Sequence, residues 1–180
     1  MPDLSRRIHD DELMDDLSRP ESEFIQAYRE IAKFNRYLGG VRAIERFLST
    51  IEGGLLLDVA AGACDIGDAL AKHGRWRSVG LDLNDQGFRL ARDSWVVVGD
   101  AFELPFPDNS FDVVTASLFF HHLSDDDCVR VLQNMYKVAR RRIIVNDLHR
   151  HHLAYLSTVL MTQLFSGSLM VRNDGPLSVR

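Results

Sequence analysis

The spacing of apolar residues changes along the chain, and each spacing predicts a type of element. From Glu21 onward, and again from Val41 to Ile51, apolar residues recur at the three- and four-residue intervals of amphipathic helices. The glycine pairs 39–40 and 53–54 follow these two segments and predict their ends. Beyond them the pattern becomes short apolar runs separated by polar helical segments. The predicted strands cover residues 55–60, 79–83, 95–98, 111–116 and 143–145.

Helices are predicted between and after these strands. They cover residues 65–73 and 84–92, a segment capped by Ser124, and a final helix over residues 153–165. Strands that alternate with helices are typical of an α/β fold, in which helical crossovers join parallel strands. The sequence therefore predicts one α/β domain preceded by a helical segment.

Composition narrows the class of protein. The chain has 180 residues, a net charge of −5 and 26% charged residues, values of an ordinary globular domain. Its longest basic run is only the three arginines 140–142, so we expect no nucleic-acid partner. Two cysteines and the lack of a leader pattern predict a cytoplasmic protein, and the apolar stretch 153–165 is too short for a membrane span. Chemistry on a small molecule is the remaining expectation.

The loop over residues 58–67 connects the first strand to a helix and consists mostly of small residues. Small residues let a ligand approach the backbone closely, and ligands of open α/β sheets bind at this edge. Asp82 ends the second strand, where a carboxylate can accept hydrogen bonds from both hydroxyls of a ribose. The alternative is a tight strand-to-helix turn in which the small residues serve packing alone and Asp82 caps the next helix.

Two adenosine cofactors compete for such a loop. A nicotinamide dinucleotide requires three spaced glycines, but the loop has Ala60, Gly62 and Cys64 at those positions. The acids Asp58 and Asp65 would repel a pyrophosphate and would instead attract a cation. The charge pattern therefore favours S-adenosyl-L-methionine, and a nicotinamide-dependent oxidoreductase is disfavoured.

Two later segments resemble a known family. Residues 98–101 and 104–114 resemble the third- and fourth-strand region of class I S-adenosylmethionine-dependent methyltransferases, and the resemblance extends over about residues 55–148. Residues 117–123 resemble the branch that includes the ubiquinone and menaquinone biosynthesis methyltransferases. The resemblance implies a Rossmann-like sheet of five parallel strands in the order 3-2-1-4-5. The helical start over residues 1–53 is predicted to fold as a lid over the cofactor-binding core 54–180, because the aromatic residues 24, 28 and 34 form an apolar wall with the polar tips 35–37. The alternative is that these are core residues of two packed helices.

The resemblance also implies roles for individual residues. Those implied to bind the cofactor are Asp58, Ala60, Gly62, Asp82, Leu83, Asp100, Ala101 and Ser117. Arg36 is a further candidate, for the cofactor's carboxylate, on its side-chain type alone. Ala60 and Cys64 replace glycines of the family, and a left-handed backbone at Cys64 would carry strain.

Histidines are the candidate proton acceptors, because their ordinary pKa lies near neutrality. His121 follows the fourth strand and His149 follows the fifth, so both can lie near a transferred methyl group; the alternative is a packing role or a solvated helix start. Asp147 also follows the fifth strand, but the fourth strand ends without an acid. We therefore expect no metal site.

The predicted function is methyl transfer to oxygen or carbon of a small aromatic, polyketide or quinone-like acceptor. The alternative is a catalytically silent S-adenosylmethionine-binding or scaffold protein on the same fold. The family's usual C-terminal antiparallel strand pair has no counterpart in the pattern. Strand 143–145 would then be a bare hydrophobic edge, which predicts either a truncated chain or a homodimer or other partner that covers it.

Overall fold

A computed structural model describes residues 2–5, 7 and 11–180. Five parallel strands form one sheet in the order β3-β2-β1-β4-β5, which confirms the predicted fold class. The strands are β1 (Gly54–Val59), β2 (Trp76–Asp82), β3 (Trp95–Val98), β4 (Phe111–Ser117) and β5 (Ala139–Asn146). The α-helices are α1 (Glu21–Leu38), α2 (Gly40–Leu48), α3 (Asp65–Ala71), α4 (Asp125–Val138), α5 (His152–Phe165) and α6 (Leu169–Ser178). Three short 3-10 helices cover Leu13–Asp15, Asp85–Leu90 and Phe120–His122.

The central strand β1 is buried on both faces, as its continuous apolar run predicts. Consecutive residues of a strand point to opposite faces of the sheet. Accordingly, Leu56 packs in a core cluster with Val113, while Leu57 packs in a second cluster with Val114. Because β1, β2 and β4 are parallel neighbours, their carboxyl ends and the loops that follow lie at one edge of the sheet.

Two strands are longer than predicted. β2 begins at Trp76, where exposed Arg77 separates the buried Trp76 and Ser78, an alternation that a search for continuous apolar runs does not detect. β5 begins at Ala139 and includes the three exposed arginines 140–142. These arginines precede the predicted strand 143–145, and their charges protect that half of the edge against unwanted pairing. The homodimer inferred from that edge stays a prediction.

The sequence analysis missed α6, because Gly175 and Pro176 indicate a chain that leaves the helical conformation. Ser168 caps this helix by accepting a hydrogen bond from the Val171 N–H. Pro176 has no N–H to donate within the helix, and the Arg172 carbonyl, four residues earlier, instead accepts from the Gln163 side chain at 3.1 Å. The expected final helix, α5, is thus followed by another.

The N-terminal segment and α6 form one layer beside the carboxyl edge of the sheet. Phe24 of α1 is fully buried against Met170 and neighbouring residues of α6. The buried Asp174 of α6 accepts the backbone N–H groups of Leu13 and Met14 at 2.9 and 3.0 Å. Residues 1, 6 and 8–10 of the predicted lid lie outside the described residues. The division into a lid and a core stays a prediction.

No helix in the described ranges combines the length and hydropathy that crossing a bilayer requires.

Candidate active site

A cavity of about 610 Å³ lies at the carboxyl edge of the sheet, under α1 and α6. The loops after β1, β2, β4 and β5 form its floor, and Tyr28, Ile31 and Phe34 of α1 form part of an apolar wall. This is where open α/β sheets bind ligands, because the strand order changes direction at β1 and the following loops separate.

Three of the acids that line this cavity lie at the carboxyl ends of β1 and β2 or at the start of α3, namely Asp58, Asp65 and Asp82. Burial raises the pKa of Asp58 well above its usual range, and the charges of the other two carboxylates add to the effect. Burial likewise raises the pKa of Asp65 to about 6, although a hydrogen bond from the Asn35 amide at 3.3 Å opposes it. This concentration of buried acid, with no lysine or arginine among the described residues that line the cavity, favours a positively charged ligand.

The Asp82 carboxylate also holds the loop after β1 in place. It accepts the Gly62 N–H at 2.8 Å and the Asn84 N–H at 2.9 Å, so it links the carboxyl ends of β1 and β2. Burial raises its pKa, and these backbone hydrogen bonds oppose the rise. A carboxylate has about four acceptor positions, which leaves capacity for the hydroxyls of a ligand.

The backbone around the cavity contains several left-handed residues. Cys64 has φ +55°, as the comparison with glycine-containing loops predicts, and Ala60 has φ +56°. Leu118, directly after β4, has φ +54°. A side chain disfavours this conformation, and strained residues of this kind concentrate at ligand sites. Gly62 lies between Ala60 and Cys64 in the loop, where an added Cβ would approach the Tyr28 ring to 2.9 Å.

Replacing Ala60 by glycine tests this strain. Relief of the left-handed conformation is worth about 1–2 kcal/mol, and the greater freedom of unfolded glycine offsets about 0.5–1 kcal/mol of it. We therefore expect Ala60→Gly to leave the free energy of unfolding unchanged or to raise it by up to about 1 kcal/mol. The matched control is Ala32→Gly within α1, which should lower the free energy of unfolding by about 1 kcal/mol. Equal losses in both variants, measured by urea denaturation, would show that Ala60 is unstrained.

The structure brings most, but not all, of the predicted site residues to this cavity. Those lining it are Asp58, Ala60, Gly62, Asp82, Leu83, Ser117 and His121. Arg36 is exposed on α1 and is not among the lining residues. The Asp100 carboxylate accepts the Phe102 N–H at 2.8 Å within the turn after β3, and Ala101 is buried in the core. His149 does not line the cavity, and its ring stacks on that of His151 at 5.8 Å.

His121 is oriented by an acid that the sequence did not pair with it. Its Nδ1 lies 2.6 Å from Oδ1 of Asp147, and its backbone N–H donates to the other carboxylate oxygen at 3.1 Å. Burial would raise the pKa of Asp147, but the hydrogen bond from His121 and the charge of that ring outweigh it and lower the pKa. Since an ionised carboxylate only accepts, Nδ1 carries a proton, and a neutral ring in this position has its lone pair on Nε2.

Several cavity residues were absent from the predicted set. Asp65 belongs to the charge argument but not to the predicted site residues, and Asn35 is not among the predicted site residues either. Glu12 lies beside His122, with 3.9 Å between its Oε2 and the imidazole Nδ1. No local pattern marks Glu12, because more than one hundred residues separate it from the histidines that it approaches.

The strand order of the sheet and the cavity at its carboxyl edge are those of a Rossmann-like fold of the methyltransferase type. Residues 56–142 match the model of a family described as a methyltransferase domain. This similarity covers just under half of the chain and agrees with the predicted resemblance, which implies S-adenosyl-L-methionine as cofactor. The buried acids and the strained loop that opens onto the cavity fit this cofactor, which carries a sulfonium and an ammonium group.

Individual relatives agree with this class. A ubiquinone/menaquinone biosynthesis C-methyltransferase, UbiE, of Burkholderia mallei is 36% identical over 101 residues, which are 49% of this chain and 40% of that protein. The chain therefore matches about two fifths of the length of this relative. A solved methyltransferase from Aquifex aeolicus superimposes with a TM-score of 0.60 at 16% identity, over 81% of this chain and 87% of that one. The [4+2]-cyclase SpnF superimposes with a TM-score of 0.53 at 20% identity, over 62% and 46% of the two chains.

Proposed function

We propose that this chain transfers the methyl group of S-adenosylmethionine to oxygen or carbon of a small aromatic or quinone-like acceptor. The observation that carries the proposal is the cavity itself, because buried carboxylates line one part of it and apolar side chains line the other. A cationic cofactor suits the first part, and a flat apolar acceptor suits the second. The name of the Burkholderia relative supports a quinone-like acceptor.

The acids have distinct roles in holding the cofactor. Asp58 and Asp65 would neutralise its positive groups, and Asp82 would accept hydrogen bonds from its ribose. The bound cofactor supplies an electrophilic methyl group. The remaining contribution of the protein is to position the acceptor, exclude water and remove a proton where the acceptor carries one.

His121 is the proposed proton acceptor. Asp147 fixes its ring and its tautomer, so Nε2 is the nitrogen available for the acceptor's hydroxyl proton. The nearby side chains of Phe119 and Leu148 also line the cavity and would shield the proton transfer from water. His149 was the second candidate from the sequence, but its position outside the cavity favours His121.

Cofactor binding should depend on pH through Asp65. A carboxyl whose pKa is raised to about 6 in the folded, ligand-free protein destabilises that state as the pH rises through 6, and a bound cation reverses this by favouring the ionised form. If the cation restores an ordinary pKa, affinity at pH 5 should be about tenfold weaker than at pH 7.5. Calorimetry in buffers of different ionisation enthalpy should detect proton release on binding near pH 5.5. An Asp65→Asn variant that keeps the full pH dependence would assign it to another group.

A catalytically silent binding protein is the second candidate. SpnF, named as a [4+2]-cyclase, has a similar fold, so the fold alone does not fix the reaction. The deciding experiment incubates the full chain with methyl-labelled cofactor and a panel of phenols and reduced naphthoquinones. Labelled product that disappears in Asp82→Ala supports methyl transfer. Cofactor binding without transfer to any member of the panel favours the silent protein.

A further inference from the structure

Three potential metal ligands converge at one end of the cavity. One ligand atom from each of Glu12, His121 and His122 lies within 4.8 Å of the others. The two histidines are adjacent in the 3-10 helix Phe120–His122, yet their ring centroids are only 4.1 Å apart. Neighbouring residues of such a helix normally point about 120° apart, so this convergence depends on the surrounding structure.

The surroundings of these three side chains resemble those of metal ligands. Asp147 holds Nδ1 of His121 at 2.6 Å, the carboxylate–histidine arrangement that orients an imidazole toward a metal through its other nitrogen. Ser178 donates its hydroxyl hydrogen to Glu12 at 2.7 Å. The exposed fractions of the Glu12 and His121 side chains are 9% and 11%, whereas that of His122 is 34%. The set is therefore mostly enclosed but open to entry on one side.

The charge around the cluster is balanced. A smaller cavity of about 220 Å³ adjoins it and is lined by Arg7, Arg150 and Arg180, but also by Asp11 and Asp15. These acids offset the arginines, and Asp147 adds a further carboxylate behind His121. Among the described residues, a dication entering the cluster would therefore meet no excess of positive charge.

We propose that Glu12, His121 and His122 bind one dication of the zinc class. Two imidazoles and one carboxylate are a typical ligand set for zinc, in which water completes the coordination. A hard ion such as magnesium would require more oxygen ligands than this cluster offers. The sequence predicts no metal site because the histidines lack a fixed zinc-ligand spacing and Glu12 is distant from them along the chain.

The site would control the reaction. A metal bound to Nε2 of His121 uses the lone pair that would accept the acceptor's proton, so zinc should inhibit methyl transfer. The bound metal would also connect the segment around Glu12 to the loop after β4. The inhibition rests on the proposed function, whereas the binding of zinc does not.

The binding is tested by equilibrium dialysis of the chelator-treated full chain against zinc, with the metal measured by elemental analysis. We expect one equivalent to bind. Glu12→Gln and His122→Gln should each weaken affinity at least tenfold, and Asp147→Asn should weaken it by about 10–100-fold through the orientation of His121. The control is the double variant His149→Gln, His151→Gln, which removes another close pair of histidines and should bind zinc unchanged.

Two results would overturn the proposal. One is the absence of stoichiometric binding by the folded wild-type chain. The other is binding that survives Glu12→Gln and His122→Gln but is lost in the control, which would indicate a surface histidine pair. Circular dichroism checks folding, and His122→Gln keeps the test decisive if the more buried Glu12→Gln does not fold. Calorimetry of the metal-free chain with S-adenosylmethionine is run in parallel, so that failure of the metal site and failure of the proposed function are distinguishable.

Discussion

Replacing Asp58 by asparagine should weaken S-adenosylmethionine binding about 100-fold and should also raise the Tm of the ligand-free protein. The carboxylate is 3% exposed and close to two other acids, so its charge is unfavourable until a cation arrives. Removing a buried charged partner from a complex typically costs about 2–5 kcal/mol. In the ligand-free protein, removal of the same repulsion should raise the free energy of unfolding by about 1 kcal/mol and the Tm by about 3 °C.

Asp68 provides the matched control for this prediction. It is also a buried acid, but its carboxylate accepts the backbone N–H groups of Arg92, Asp93 and Ser94 at 2.8 to 3.0 Å and therefore has a structural role. Asp68→Asn should lower the Tm and leave the cofactor affinity of the folded protein nearly unchanged. The account would be wrong about Asp58 if Asp58→Asn lowered the Tm like Asp68→Asn and kept its affinity.

Replacing His121 by glutamine should lower kcat by about 100- to 1,000-fold on a hydroxyl-bearing acceptor, the range expected for loss of a proton acceptor. Cofactor affinity should stay within about twofold, since the proposed function assigns His121 to the acceptor and not to the cofactor. Asp147→Asn should lower kcat as well, because an amide can stabilise the wrong tautomer of the ring. The assay uses chelator-treated protein and the best acceptor of the panel.

His149→Gln serves as the control for the histidine, because it replaces an imidazole outside the cavity and should keep kcat within about twofold. A large loss in this variant and none in His121→Gln would exchange the roles of the two residues. An unchanged kcat in both would indicate an acceptor that reacts without losing a proton to the protein.

The parts of this site that the sequence predicts are local ones. Asp58 and Asp82 each end a strand, and Ala60 and Gly62 follow the first of them, so the alternation of apolar and polar residues is enough to place them on one edge. The strain at Cys64 is also predictable, because only one residue type fits a left-handed position without cost. These features depend on the covalent neighbours of each residue.

The remaining parts depend on contacts between distant segments. Asp147 pairs with His121 across two neighbouring strands, and Glu12 reaches the same place from the N-terminal segment. Asp100 follows a strand, as Asp82 does, but its carboxylate caps a local turn, and neither residue type nor spacing distinguishes the two. Pro176 prevents the prediction of α6 from the sequence, because proline normally ends a helix. In the structure, the Gln163 side chain replaces the hydrogen bond that Pro176 cannot donate.

The central claim is that the acid-lined cavity binds S-adenosylmethionine. Isothermal titration calorimetry of the full, metal-free chain at pH 7.5 tests it most directly. We predict saturable binding with a stoichiometry of one, lost in Asp82→Ala and weakened about 100-fold in Asp58→Asn. Absence of binding to protein that is folded by circular dichroism would contradict the account.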